Sequence, residues 1–221
     1  MTEDSVTADA AGWVIATPPG LRPASLSAGT SGVLVGGASD DADQRPLVAV
    51  RDGQSWLEIP ATATTAYGAM ADIVQLGLGA DGQVVAIGTV AGGAHLNPRW
   101  SAWIGTTQGI VEEPQTVETF GGPEAGGITG VLSGSAPLVV GSWTISAGVL
   151  GVALWQHSPE RIGGQTWLRQ PSPPMLVSNA KELISPTAAA WSTQPPAAGR
   201  DSAALPAGDA RIVLGGLVTS L

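Results

Sequence analysis

Between residues 21 and 60 the apolar positions come in four short bursts. PASLSAG at 23–29 reads as a strand, and VLVGG at 33–37 is an apolar run that ends in paired glycines. An Asp-rich loop follows, then PLVAV at 46–50, and an Asp52-Gly53 turn leads into SWLEIP at 55–60. Runs of this length, bounded by Gly, Pro and Asp, read as strands. Four in succession, joined by turn chemistry, make one small antiparallel sheet.

The rest of the chain repeats this unit. Apolar runs ending in glycine recur as VLVG, VAIG, LVVG and IVLG, closing at Gly36, Gly88, Gly141 and Gly215, the first three about fifty residues apart. Ten positions before each glycine stands an aliphatic residue: Leu26, Leu78, Val131 and Leu205. The first and last copies align without a gap over ASLSAGTSGVLVGG and AALPAGDARIVLGG. Third strands follow as PLVAV, WSAWI and GVALW, with Ala49, Ala102 and Ala153 at corresponding places, and fourth strands as SWLEIP, IVEEP and TWLRQP. A four-stranded repeat of about fifty residues is the period of a propeller blade. The expected fold is therefore all-β: one incomplete β-propeller domain over 1–221, with blades at 21–60, 66–114 and 123–171 and half a fourth at 201–221.

The two ends are less regular. GWVIATPP at 12–19 resembles the fourth strands but has no blade of its own, and Trp13 to Ala16 read as a closing strand for a sheet begun at the other terminus. Residues 172–200 are rich in Pro, Ala and Ser and read as an insertion or loop, yet AAAWST at 188–193 has the pattern of a third strand. About three and a half blades fall short of the four to eight of a full ring. The chain thus reads as the N-terminal part of a longer ring, ahead of a four-bladed ring missing a strand or a ring shared by two chains. An open ring leaves edges and an apolar blade face uncovered, which predicts self-association.

Composition removes several function classes. Thirty-one glycines and seventeen prolines in a chain that is 43% apolar fit many turns between buried strands. A net charge of −9, with nine scattered basic residues, argues against nucleic acid or an anionic membrane as partner. Cysteine is absent, so neither a disulfide nor a Cys-based zinc site contributes. No basic segment followed by an apolar one opens the chain, and no run reaches the roughly 18 apolar residues of a spanning helix. At face value this predicts a cytoplasmic protein.

The double glycines Gly36-Gly37 and Gly215-Gly216, with Trp56 and Trp167 in fourth strands, resemble kelch-type repeats. The turn RDGQSW at 51–56 resembles the Asp-box of sialidase-like (BNR) propellers through Asp52, Gly53, Ser55 and Trp56; the third repeat keeps Gly164, Thr166 and Trp167. Val50 stands near the place of the kelch tyrosine. The resemblance covers nearly the whole chain and concerns architecture, which carries little functional information. A sialidase-like activity would imply clustered arginines, a tyrosine nucleophile and acidic partners. Here Arg22, Arg45, Arg51, Arg99, Arg161, Arg169, Arg200 and Arg211 are dispersed, the Arg-Ile-Pro signature is missing, and Tyr67, the only tyrosine, lies in an Ala-rich linker.

Other candidate chemistry reads as structural. Asp40, Asp41 and Asp43 could offer carboxylates to calcium but lack the glycine and distal glutamate of a dedicated loop, so a solvated turn is expected. His95 and His157 are lone loop histidines without a second histidine at ligand spacing. Glu112 and Glu113 are adjacent in a strand, point to opposite faces and cannot flank one glycosidic bond. Among eight tryptophans, Trp13, Trp56 and Trp167 hold equivalent fourth-strand positions and read as packing, while Trp100, Trp103, Trp143 and Trp155 are candidates to line a groove that stacks on a sugar or peptide. The sequence thus predicts a non-enzymatic binding or scaffolding module with a protein or carbohydrate partner, no cofactor, no metal and no catalytic residues. The competing expectation is the front part of a carbohydrate-active enzyme whose catalytic residues lie outside this chain; a truncated product without activity is a third.

Overall fold

The computed structural model describes residues 5–8, 14–92, 96–113, 115–146, 149–179, 182–192 and 211–220. The chain is all-β and divides into two compact units, Met1–Gln115 and Thr116–Leu221.

The first unit opens with a hairpin of β1 (Ser5–Ala8) and β2 (Val14–Thr17), which form a sheet of two. The segment read as a closing strand therefore takes β1 as its partner; Trp13 lies outside the described residues. The first four-stranded sheet follows in simple meander order: β3 (Leu21–Gly29), β4 (Gly32–Ser39), β5 (Pro46–Asp52) and β6 (Ser55–Ile59). A two-residue strand, β7 (Ala61–Thr62), then pairs in parallel with the last strand of the second sheet. That sheet comprises β8 (Asp72–Leu78), β9 (Gln83–Gly92), β10 (Asn97–Thr106) and β11 (Gly109–Glu113).

Strand alternation decides which side chains meet. Leu34, Val48 and Ile59 of the first sheet pack with Ile73, Leu76, Val84, Ala86, Trp103 and Ile110 of the second in one buried cluster. Leu21, Val35, Leu47 and Ala49 lie on the first sheet's other face, with Trp56 against them. Gly36 makes the close approach between the sheets feasible, since a Cβ there would lie 2.8 Å from both Ile73 Cγ2 and Leu76 Cδ1.

The second unit contains the short helix α1 (Val117–Phe120) and the third sheet: β12 (Ala125–Leu132), β13 (Leu138–Ser146), β14 (Val149–Ile162) and β15 (Gln165–Gln170). It ends in a hairpin of β16 (Glu182–Ser192) and β17 (Arg211–Ser220). Val140, Val152 and Leu154 of the third sheet pack with Ile184, Ala189 and Leu214 of that hairpin. The segment 172–200 is thus not wholly a loop. AAAWS belongs to β16, which supplies the partner of β17; the expected first strand around Leu205 lies outside the described residues.

The pairing registers correct the repeat alignment. In the three larger sheets and in the β16–β17 hairpin the first strand carries a bulge beside a glycine of the second: Pro23 faces Gly37, Ile73 faces Gly88, Ile128 faces Gly141 and Pro186 faces Gly216, and one residue is skipped directly after each. A bulge bends its strand and tightens the twist. At Gly37 and Gly141 it brings backbone so close that a Cβ would collide with the carbonyl oxygens of Arg22 and Gly127 respectively. The corresponding glycines are therefore Gly37, Gly88, Gly141 and Gly216, so that in the two double glycines it is the second that corresponds. Leu26, Leu76 and Val131 correspond through their partners Val35, Ala86 and Val139, which replaces Leu78 by Leu76. Ala49, Ala102 and Ala153 face Val35, Ile87 and Gly141, three different places. The equivalence of Trp56 and Trp167 holds: each faces a third-strand residue, Arg51 or His157, four positions beyond the one opposite the glycine.

Candidate functional site

The densest polar constellation among the described residues surrounds Glu112, a residue set aside in the sequence. Alternation in β11 turns Glu112 inward and Glu113 to the other face, as adjacency in a strand requires. Glu112 is 3% exposed. Its Oε2 accepts the backbone N–H of Thr64 at 2.6 Å and of Thr65 at 2.8 Å, and its Oε1 accepts the Thr65 hydroxyl at 2.6 Å. Thr64 Oγ1 adds a longer contact of 3.3 Å, and Thr65 Oγ1 accepts the N–H of Gly68. Gly68 has no room for a Cβ because the Glu112 carboxylate occupies that space. A buried carboxylate is tolerated when donors converge on it. Here they pin the segment between the first two sheets to the last strand of the second.

Tyr67 lies in the same segment and is 41% exposed. The Arg99 guanidinium sits over its ring at 5.8 Å, a cation–π arrangement. The remaining described arginines are engaged separately. Arg22 pairs with Asp72 at 3.2 Å, and Arg45 pairs with Glu58 at 2.8 Å on an exposed surface. Arg51 covers Trp56 at 5.1 Å, and Arg169 covers Trp143 at 4.9 Å. Within the first unit Arg22, Arg45, Arg51 and Arg99 thus each have a different partner. The side chain of Arg161, like all of Arg200, lies outside the described residues, and only the backbone of Arg211 falls within them.

The Asp40, Asp41, Asp43 loop is exposed and organised from within. Ser39 donates its hydroxyl to Asp41 Oδ1 at 2.6 Å while accepting the N–H of Arg45 at 3.0 Å. The Ser39 hydrogen bond, with backbone donors behind it, holds the Asp41 carboxyl below its ordinary range. Asp41 is thereby committed to the turn. No group of three or more His, Asp or Glu with metal-binding geometry occurs among the described residues. His157 contacts the Trp167 ring at 5.0 Å, and His95 lies outside the described residues.

Of the four tryptophans proposed for a groove, Trp103, Trp143 and Trp155 are buried, as is Trp167. In the second unit Phe120 of α1 packs on Trp155 at 5.5 Å and on Trp167 at 6.1 Å, and Trp143 meets Trp155 at 6.0 Å. Trp143 also donates its indole N–H to Glu124 at 3.0 Å. These rings form a core and are not displayed to a ligand. Trp100 is half-buried and remains nearest to the groove reading.

No helix among the described residues is long and apolar enough to cross a membrane. No protein family, curated protein or solved structure matches the chain.

Proposed function

We propose that the repeated sheets are blades of a β-propeller and that the protein is a non-enzymatic binding or scaffolding module. The recurrence of one strand order, one glycine-and-bulge register and one sheet-on-sheet packing supports this reading. Kelch-like and Asp-box-like features keep a structural role within it. Trp56 and Trp167 face Arg51 and His157 at corresponding places, as repeat positions in a stacked array do. Function on such a scaffold belongs to loops and strand ends, where Tyr67 of the segment 64–68 meets Arg99 near the start of β10. A protein or carbohydrate ligand engaged there needs neither cofactor nor metal.

The test combines a panel of fluorogenic glycosides, sialosides included, with a glycan array and an affinity capture verified by direct titration. Saturable binding without turnover is expected. Reproducible hydrolysis that survives repurification would instead support the front part of a carbohydrate-active enzyme.

A further inference from the structure

Two corresponding Arg–Glu pairs in the first unit have different fates. Arg45 and Arg99 each stand two residues before the third-strand residue that faces the repeat glycine, Leu47 opposite Gly37 and Ser101 opposite Gly88. Glu58 and Glu112 correspond as well, because they face Ala49 and Trp103, two residues after those same positions. In the first sheet the pair closes on itself: Arg45 Nη1 donates to Glu58 Oε1 at 2.8 Å and Nη2 to Oε2 at 3.4 Å. In the second sheet the segment 64–68 has taken the carboxylate, through Thr64 and Thr65. The same segment lays Tyr67 beside the guanidinium left over. Arg99 Nε is buried without a hydrogen-bond partner, and no carboxylate pairs with Arg99 among the described residues. The half-buried guanidinium thus carries a charge that no carboxylate among the described residues meets, a deficit that an anion would fill.

We propose that Arg99, steadied by Tyr67, is a binding site for an oxyanion, the carboxylate or phosphate group of a small ligand. A guanidinium presents its donors in a planar fork that fits either group, and stacking on tyrosine holds that fork in place before the ligand arrives. Gly92 makes the stack feasible. A Cβ there would lie 2.7 Å from Tyr67 Cε1 and 2.8 Å from Arg99 Cγ, so a side chain would force the two apart. The site deepens the binding-module reading and rests on it, since it names the chemistry of the ligand's anchoring group.

The test is a titration of the full chain with inorganic phosphate and, separately, with sodium acetate at constant ionic strength. It is followed by NMR of the arginine Nε–Hε signals. The Arg99 signal is expected to move saturably, with Kd on the order of 1 mM for such minimal probes, while the Arg45 signal stays fixed because Glu58 already fills its fork. Arg99→Gln should abolish the saturable shifts at the Tyr67 and Gly92 amides. Gly92→Ala, which leaves the charge in place, should weaken them severalfold. Saturation by phosphate alone or acetate alone would assign the source; saturation by both would uphold the shared chemistry. Linear drift common to Arg45 and Arg99, or an unchanged response in a folded Arg99→Gln protein, would overturn the site. Glycoside turnover alongside a saturable Arg99 response would instead sink the non-enzymatic reading and leave the site standing.

Discussion

The first and second sheets place an acid at the same point of the fourth strand and use it in opposite ways. Glu58 lies on the surface and pairs with Arg45, with about half of each side chain in water. Glu112 is buried and takes its donors from the segment 64–68. One repeat position can therefore serve as a surface ion pair or as the anchor of a connecting segment. What decides is the chain that passes over it: Thr-Thr with a glycine at position 68 converges N–H and O–H groups on a carboxylate, and such charge-assisted bonds are the strong ones. The same contrast holds for the aliphatic residue of the first strand. Leu76 is buried against the first sheet, whereas its counterpart Leu26 is 69% exposed.

The largest effect is expected where the anchor is removed. Glu112→Ala leaves at least three donors around an emptied, buried space, and should cost roughly 3 kcal/mol in denaturant unfolding. Glu112→Gln, which preserves volume and one acceptor oxygen, should cost less. Equal losses in the two variants would show that packing, not donor satisfaction, is what matters. Next comes the pair of leucines: Leu76→Ala should cost about 2 kcal/mol or more through a cavity, and Leu26→Ala close to nothing. If Leu26→Ala matched Leu76→Ala, the two sheets would not differ at this position as described.

The surface pair is expected to matter far less than the buried anchor. Glu58→Ala should change stability by less than about 1 kcal/mol and less still in high salt, as for exposed ion pairs generally. A still smaller effect is tied to pH. The folded-state pKa of Asp41 is lowered by Ser39, so its contribution is present above the ordinary carboxylate pKa of about 3.9 and fades as pH falls through the lower folded value. Wild-type and Asp41→Asn melting curves should therefore differ slightly at neutral pH and converge in acid. A difference that grew in acid would contradict the Ser39 contact.

Much of the strand layout could be read from the chain because each run of apolar residues ends in Gly, Pro or Asp, and these punctuate strands for steric reasons. Trp56 and Trp167 were legible for the same reason, each lying a fixed short distance past a turn. Register was not. A double glycine leaves open which of the two faces the bulge, and hairpin turns of unequal length shifted the count from Leu76 to Leu78. The role of Glu112 was legible only by half. Adjacency correctly set it on the face opposite Glu113, but its partners sit in ATATTAY, an Ala/Thr-rich stretch that looks like plain linker. The usable signal was the pair of hydroxyl residues shortly before Gly68, since such residues bond locally and shape turns. At the C-terminal end, β17 takes a partner from 182–192, and apolar patterning alone could not choose between that strand and the one around Leu205.

The most direct test is native-state hydrogen exchange at the amides of Thr64 and Thr65, in the wild-type protein and in Glu112→Gln. If a buried carboxylate holds these groups, both amides exchange slowly in the wild type and markedly faster in the variant, while amides around Arg45 and Glu58 keep their rates. Exchange of Thr64 and Thr65 at the rate of an open chain in the wild-type protein would contradict the account, because the segment would then not be anchored and Arg99 would have no reason to lack its acid.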